Sequence, residues 1–274
     1  MCHDEPELLR RVATVLNYNE DKVFVHVDKK VDIKPFKTAV KDLPNVIMLD
    51  KRHEVFWGGF SSIVATMELI CAALSLEIKF DRIILLQGKD YPLHSPKYIH
   101  RFFQLRQKEE FCKAKNISTS DVPGDYMKCC GYWCMDHISG SVCNRVFRKF
   151  LAILNTRIKI KYRQAYFHQD DTKWDVYKGW AQVALTAKCA EYVLGIYDNN
   201  EKYNNFMRHR FPPDEIYIHT ILYNSPYVSK ISDFLLQPRK NALWESEYLN
   251  LTYFEYPMSV TIFTIAIQIN TAHT

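Results

Sequence analysis

Two adjacent carboxylates in the segment FPPDEIYIHT are the first candidates for chemistry in this chain. Asp214 and Glu215 follow two prolines and precede an apolar-rich run, so we expect them in the first turn of a helix, where proline is favoured. Acidic side chains there stabilise the helix dipole by about 0.3–1 kcal/mol, which is one explanation for the pair. The other is that one of them faces a pocket and removes a proton. The residue pattern leaves both explanations open.

Other common catalytic patterns are missing from the sequence. It has no G-x-x-x-x-G-K-[ST] or G-x-G-x-x-G phosphate loop, no G-x-S-x-G nucleophile elbow and no H-E-x-x-H metal motif. A D-x-D pair, with which many sugar-nucleotide enzymes hold a divalent metal, is missing too. The eight cysteines include the cluster CCGYWC but lack the paired C-x2-C arms of known zinc sites. We therefore expect reduced, structural thiols and no metal.

The composition is that of a globular protein with a modest basic charge. The 274 residues are 47% hydrophobic and 24% charged, enough for a sizeable core. A net charge of +5 suits a phosphate-bearing ligand or an anionic membrane surface. No basic stripe is interleaved with aromatic residues, so we expect no nucleic-acid partner. Residues 1–12 show no apolar signal segment, and the longest apolar run, Ser259–Ile267, is predicted to be a strand. We expect a cytoplasmic protein, with peripheral membrane contact left open.

The elements that must position these candidates alternate along the first two-thirds of the chain. Helices are predicted at Glu7–Leu16 and Ser61–Glu77, and strands at Lys22–Asp28, Asn45–Asp50 and Asp81–Gly88. The last strand is a continuous apolar run closed by glycine, which is typical of burial on both faces. Such alternation predicts an α/β fold whose sheet is mixed, mostly parallel and flanked by helices.

The carboxyl ends of these strands carry the second set of candidates. Ligands of α/β sheets collect at that edge, which here would hold Asp28, Trp57 and Asp90. Ordinary alternatives exist, because an aspartate often caps a turn and a tryptophan is often a core residue. Residues 113–145 are rich in Ser, Thr, Asp, Pro and Gly, and we predict a long irregular loop over the site there. A helix is predicted to follow at Asn144–Leu154.

Five segments together resemble a known family. They are CHDEPELLRR, FVHVDKK, EVFWGGFSSIVATMELI, FDRIILLQGKDYPLHS and FPPDEIYIHTIL. They occur in the order seen in the core-2/I-branching β1,6-N-acetylglucosaminyltransferase family, which also includes peptide O-xylosyltransferases. The resemblance runs from residue 2 to about residue 264, and WGGFS followed by LLQGKDYPL is its most specific part. The sequence looks like a bacterial member.

The resemblance implies a fold, a reaction and a setting. The fold would be GT-A-type, Rossmann-like, in a single glycosyltransferase domain over 1–274, with a nucleotide-binding half at 1–110 and an acceptor and catalytic half at 111–274. The reaction would move N-acetylglucosamine or a xylose-like sugar from a UDP-sugar donor to a glycan acceptor, with inversion and without a metal or other cofactor. The setting would be bacterial surface polysaccharide synthesis, in the cytoplasm or peripheral to the inner membrane.

The resemblance also assigns roles by position. Glu215 matches the catalytic base, which takes the proton of the acceptor hydroxyl, and Asp214 is left as a capping partner. Asp28 would hold the uridine portion and Trp57 would lie against the nucleotide. The residues assigned to donor binding are Asp28, Trp57, Gly88 and Asp90. The residues expected to contact the acceptor are Tyr253 and Tyr256.

Both ends of the sequence depart from the family pattern. Members have a full β-strand before the CHDEP segment, whereas here Met1 stands almost at that segment, so we expect a central strand to be short or missing. Metal-independent members neutralise the diphosphate with basic side chains, but one such position is Met258 here, and the later A-[RN]-K-F segment is missing. Arg239 and Lys240 are the candidate substitutes. The alternative function is a catalytically impaired member that binds a sugar nucleotide or a partner as a scaffold.

Overall fold

The structure, a computed structural model, describes residues 4–87, 90–120, 124–136, 141–157, 166–233 and 263–267. Its helices are α1 (Pro6–Val15), α2 (Lys34–Val40), α3 (Ser61–Leu74), α4 (Pro96–Gln104), α5 (Asp125–Cys130), α6 (Ser141–Arg157), α7 (Ala187–Asn199), α8 (Glu201–Arg208) and α9 (Tyr217–Tyr223). Its strands are β1 (Lys22–Val25), β2 (Val46–Met48), β3 (Arg82–Leu86), β4 (Ala114–Asn116), β5 (Tyr166–Gln169), β6 (Thr172–Asp175), β7 (Tyr177–Gly179), β8 (Ala184–Thr186) and β9 (Phe263–Ile267). Short 3₁₀ turns lie at Ile117–Thr119, Pro213–Glu215 and Pro226–Lys230.

Five strands form the main sheet, in the order β2-β1-β9-β3-β8. The β1–β2 pair is parallel, whereas β1–β9, β9–β3 and β3–β8 are antiparallel. The prediction of a mostly parallel sheet is therefore wrong. The strands β1, β2 and β3 do run in one direction, because β1 and β3 are both antiparallel to β9. Alternating segments indicate strand direction, but they cannot reveal that β9 enters between β1 and β3 or that β8 pairs beyond β3.

Helices cover both faces of this sheet. Successive strand residues point to opposite faces, so Val23 and Val25 of β1 pack with α1, α2 and α4. Phe24, between them, packs with α3, α7 and α9 on the other face. Ile83 and Leu85 of β3 join the same cluster as Phe24. The described residues thus form an α/β/α arrangement, which agrees with the predicted α/β class. The GT-A assignment and the division into two halves stay predictions.

The region 113–145 is more ordered than its composition predicts. It contains β4, a 3₁₀ turn, α5 and the start of α6, so the prediction of a long irregular loop is wrong for its described part. The strand β4 pairs with β7, with Ala114 opposite Gly179, and the partner comes from far along the chain. Neither three-residue strand has a local pattern that would reveal it. A separate hairpin, β5–β6, also lies outside the main sheet.

Several predicted elements are confirmed in type but differ in length. Helix α3 begins at Ser61 as predicted and ends at Leu74, and α6 is longer at both ends than the predicted helix. Strand β1 ends at Val25, earlier than predicted, so Asp28 lies in the turn that follows it. No helix among the described residues is long and apolar enough to cross a bilayer.

Candidate active site

Asp28 organises the turn at the end of β1. Its buried carboxylate accepts a hydrogen bond from the backbone N–H of Lys30 at 2.9 Å, and the Lys30 ammonium lies 3.3 Å from the other carboxylate oxygen. That ammonium also donates to the carbonyl of Val55 and lies 4.2 Å from the centre of the Phe56 ring. Asp28 therefore ties the end of β1 to the segment that leads to Trp57. This geometry is that of an aspartate that caps a turn, the ordinary alternative for Asp28. Its role in nucleotide binding stays a prediction.

Trp57 is exposed and belongs to an aromatic surface. Its side chain is 53% exposed, so the core alternative is wrong. Its ring meets Phe211 edge-on at 5.3 Å between centroids, and the guanidinium of Arg148, from α6, lies 4.6 Å above it. Phe211 also packs against Trp133 at 5.1 Å. We call Trp57, Trp133, Arg148 and Phe211 the aromatic patch. Trp133 and Phe211 are buried, so Trp57 is the aromatic member of the patch whose ring is exposed, and such a ring can pack against the flat ring of a ligand.

Two glycines allow the close approaches around Trp57. Gly58 has a φ of +72°, and a Cβ there would lie 2.2 Å from the Phe211 ring. A Cβ on Gly59 would lie 2.2 Å from a carboxylate oxygen of Asp136. That carboxylate accepts hydrogen bonds from two backbone N–H groups at the start of α3, both at 3.1 Å, and from the Ser61 hydroxyl at 2.7 Å. These close contacts explain why both positions of the WGGFS segment, Gly58 and Gly59, are glycine.

Asp214 and Glu215 lie in a 3₁₀ turn just before α9. The prediction that they occupy the first turn of a helix is wrong in detail, because Ile216, with a φ of −125°, separates them from the helix that begins at Tyr217. Ile216 is fully buried, and its non-helical backbone interrupts the run. Six consecutive residues of α9, from Tyr217 to Leu222, are buried, so this helix is enclosed on all sides.

The two carboxylates have different surroundings. Desolvation raises the pKa of Asp214 to about 6, although hydrogen bonds from the backbone N–H groups of Asp214 and Glu215 oppose that rise. The side chain of Glu215 is 26% exposed, and its Oε2 lies 3.5 Å from Nζ of Lys178. One of the pair is therefore desolvated and the other is in contact with a cation.

Lys178 belongs to a buried line of charges that the sequence did not predict. In the β4–β7 pair, Lys178 stands directly opposite Lys115. Asp125, at the start of α5, lies between them, 2.7 Å from the Lys115 ammonium and 3.5 Å from the Lys178 ammonium. Burial raises the pKa of Asp125, but the hydrogen bond from Lys115 and the charge of Lys178 bring it below its ordinary value. We call Lys115, Asp125, Lys178 and Glu215 the charge row.

Asp90 joins the end of β3 to the segment before β8. It accepts a hydrogen bond from the backbone N–H of Gln87 at 2.6 Å, and the Gln182 amide lies 3.4 and 3.3 Å from its two oxygens. Burial raises the pKa of Asp90, although these hydrogen bonds oppose the rise. Gln182 follows Lys178 closely in the chain, so Asp90 and the charge row share one supporting segment. Its role in a donor pocket stays a prediction.

The predicted site residues outside the described part of the chain are Gly88, Arg239, Lys240, Tyr253 and Tyr256. Met258 lies outside it as well.

Within the described ranges the cysteines are free, and Cys112, Cys129, Cys130 and Cys189 are buried, as structural thiols would be. The same ranges contain no group of three or more His, Cys, Asp or Glu side chains that could hold a metal ion. Metal independence stays a prediction.

Comparison with known proteins places this geometry in a family. The family model of the Core-2/I-branching enzymes matches residues 2–233, which include Asp28, Trp57, Lys178 and Glu215. The chain belongs to the Core-2/I-branching enzyme family. The family predicted from the sequence segments is thereby confirmed.

Three curated relatives give the family match its context. The chain is 29% identical over 128 residues to the human N-acetyllactosaminide β-1,6-N-acetylglucosaminyl-transferase, covering 45% of this chain and 30% of that protein. It is 24% identical over 198 residues to a probable pig β-1,3-galactosyl-O-glycosyl-glycoprotein β-1,6-N-acetylglucosaminyltransferase 7, covering 70% and 41%. It is 23% identical over 108 residues to a xylosyltransferase of Ciona intestinalis, covering 39% and 13%. All three are named glycosyltransferases, and the chain spans less than half the length of each.

Proposed function

We propose that this Core-2/I-branching family member transfers a sugar from a UDP-sugar to a hydroxyl of a glycan, with inversion at the anomeric carbon and without a metal ion. The transferred sugar would be N-acetylglucosamine or a xylose-like sugar. The observation that carries the proposal is the partly exposed Glu215 carboxylate in the FPPDE segment, whose first residue, Phe211, contacts Trp57. The names of the curated relatives support the class of reaction.

In an inverting transfer one carboxylate removes the acceptor proton. The acceptor oxygen forms a bond to the anomeric carbon while the sugar–phosphate bond on the opposite face breaks, and the UDP leaves with that electron pair. Glu215 is the group proposed to take the proton. Phe211 lies in the same short segment as Glu215 and contacts Trp57, so a sugar ring packed on the aromatic patch would lie close to that carboxylate. Asp28 and Asp90 are proposed to line the donor side.

The leaving diphosphate needs positive charge nearby, since placed cations supply much of the stabilisation of such a transition state. Arg239 and Lys240, which follow the segment matched by the family model, are the residues proposed for this role. If they supply that charge, Arg239→Ala with Lys240→Ala should weaken UDP binding, and a matched pair of exposed residues, Lys41→Ala with Lys108→Ala, should leave it unchanged.

The test is a transfer assay with purified protein. UDP release from UDP-N-acetylglucosamine and UDP-xylose is measured with and without oligosaccharide acceptors, in the presence of EDTA. Acceptor-dependent release is expected, and Glu215→Gln should lower kcat by about 10²–10⁴-fold. Asp214→Asn is the matched control, because it changes the neighbouring carboxylate by the same chemistry, and kcat should change only a few-fold.

Other outcomes separate the alternatives. Full activity in Glu215→Gln would refute the assignment of the base. Calorimetric binding of UDP that EDTA does not weaken, together with no turnover on any acceptor, would favour the catalytically impaired scaffold. Loss of activity on adding EDTA, restored by Mg²⁺ or Mn²⁺, would refute metal independence.

For the cellular setting we propose a bacterial protein that works in the cytoplasm, or peripheral to the inner membrane, on a surface polysaccharide. The sequence resemblance supports this setting. Fractionation of the source cells, with the chain detected by antibody, tests it: recovery from the culture medium or from a secretory compartment would refute it.

A further inference from the structure

The net charge of the charge row depends on the protonation state of Glu215, the proposed base. Lys115 and Lys178 are directly opposite each other on paired strands, and like charges in that position are destabilising. Asp125 supplies one negative charge to these two buried ammonium groups. An ionised Glu215, 3.5 Å from Lys178, supplies the second. Counted over these four groups alone, the charges are equal in number when Glu215 is a carboxylate, and protonation of Glu215 removes one negative charge beside Lys178.

The position of the Lys178 ammonium is set independently of Glu215. Its side chain is 9% exposed, its backbone is fixed by pairing of β7 with β4, and its Nζ also contacts Asp125. The side chain of Glu215, by contrast, is partly exposed on a 3₁₀ turn. A cation whose position is set by these contacts can hold the neighbouring, partly exposed carboxylate in place.

We propose that Lys178 is a positioning residue for Glu215, which keeps the carboxylate ionised and oriented for proton removal. This inference rests on the proposed function, because it gives Lys178 a purpose through the base. The residue types in the sequence did not suggest it: an isolated lysine on a three-residue strand looks like a solvent-exposed side chain.

Other ionisable groups near Glu215 and Lys178 lie on several elements. They are Lys115 on β4, Asp125 and Cys129 on α5, Asp214 in the same turn and His219 on α9. Burial raises the pKa of the Cys129 thiol well above its ordinary value and lowers the pKa of His219 to about 3, so both are neutral near pH 7. Neither can take the place of the Lys178 ammonium as a positive charge.

The experiment measures the protonation midpoint of Glu215 directly. Protein labelled with ¹³C at the glutamate side-chain carboxyl is titrated by NMR, and Glu215→Gln identifies the resonance. An opposite charge within about 4–6 Å shifts a carboxyl midpoint by about 1–3 units, and partial exposure places Glu215 at the low end of that range. Lys178→Met should therefore raise the midpoint by about one pH unit, a tenfold change in proton affinity. Lys178→Arg should restore it.

The matched control is Lys173→Met. Lys173 is an exposed lysine of β6 whose ammonium lies 2.8 Å from Asp175, so it is also an ion-paired strand lysine, but outside the charge row. It should leave the Glu215 midpoint unchanged. An unchanged midpoint in Lys178→Met, or an equal shift in Lys173→Met, would overturn the inference.

Activity adds a second readout that separates this inference from the proposed function. If transfer occurs, the acidic limb of kcat/KM should move to higher pH in Lys178→Met by the same amount as the NMR midpoint, and Lys178→Arg should return it. A shifted midpoint without any transferase activity would show that Lys178 keeps Glu215 ionised, but it would reject the proposed function and with it the role in proton removal. Transferase activity that depends on Glu215, with neither the midpoint nor the acidic limb moved, would support the function and reject the role of Lys178. If Lys178→Met fails to fold, the Lys178→Arg and Lys178→Gln titrations decide, because Gln also removes the charge.

Discussion

Acidification should destabilise this protein through His26, at the end of β1 and close to Asp28. The ring is fully buried, and its Nε2 accepts a hydrogen bond from the backbone N–H of His53 at 2.8 Å, which a protonated ring could not do. Burial, with the neighbouring His53 and Arg52, lowers the pKa of His26 from its ordinary value of 6.5 to about 4. The folded protein therefore holds His26 neutral at pH values where the unfolded chain protonates it.

The direction and the size of this pH dependence of stability follow from proton linkage. Because the folded-state pKa is the lower one, the stabilisation is fully present above pH 6.5 and is lost as the pH falls from 6.5 towards 4. Each unit of pKa difference corresponds to about 1.4 kcal/mol. Between about pH 7 and about pH 4.5 this residue alone should remove about 2 kcal/mol of unfolding free energy.

The assay is urea unfolding at the two pH values for the natural protein and for His26→Gln. A glutamine carbonyl can accept the hydrogen bond from the His53 N–H but cannot take a proton in this range. The natural protein should lose about 2 kcal/mol more than the variant. Subtracting the loss in the variant from the loss in the natural protein cancels the contributions of other titrating groups, such as His219 and Asp214. Equal losses in the two proteins would refute the reasoning, because the burial of His26 would then carry no proton linkage.

Two further predictions concern packing. Gly59→Ala should lower the unfolding free energy by about 1–2 kcal/mol, because its Cβ would displace Asp136 from the start of α3. Gly195→Ala, in α7 where a Cβ meets nothing within 4 Å, should raise the unfolding free energy by up to about 1 kcal/mol. Urea unfolding measures both changes, and equal effects would contradict the close-contact argument. Arg82→Met should cost at least about 3 kcal/mol, because the buried guanidinium donates to carbonyl oxygens in β8 and in the segment after α4, each of which would lose its donor. Thermal unfolding of Arg82→Met within a degree or two of the natural protein would show that those carbonyls find other donors.

The sequence predicts those helices and strands whose residues form a hydrophobic pattern among near neighbours. Helix α3 and strand β3 were predicted close to their observed bounds, because a helical apolar stripe and a continuous apolar run are properties of neighbouring residues. The order of the sheet is not such a property. β9 pairs with both β1 and β3 from the far end of the chain, and no local pattern records a partner at that separation.

The candidate site shows the same division. Glu215 and Trp57 became candidates from their positions beside predicted elements, and the resemblance assigned them roles that stay predictions, while the structure supplies a physical reason for the glycines of WGGFS. Lys178 and Asp125 were missed, because their burial arises from the packing of α5 against the β4–β7 pair. Charged residues on short, irregular segments are usually solvated, so composition favoured the wrong expectation for both.

The adjacent carboxylates differ in ways that bear on the roles proposed for them. Both lie in a 3₁₀ turn separate from α9, where desolvation raises the pKa of Asp214 to about 6, while the Glu215 carboxylate lies 3.5 Å from the Lys178 ammonium. Burial therefore favours the protonated form of Asp214, and the cation favours the charged form of Glu215. Because a nearby cation also weakens a carboxylate as a base, the proposed role of Glu215 depends on its orientation towards the acceptor hydroxyl, which the contact with Lys178 would maintain.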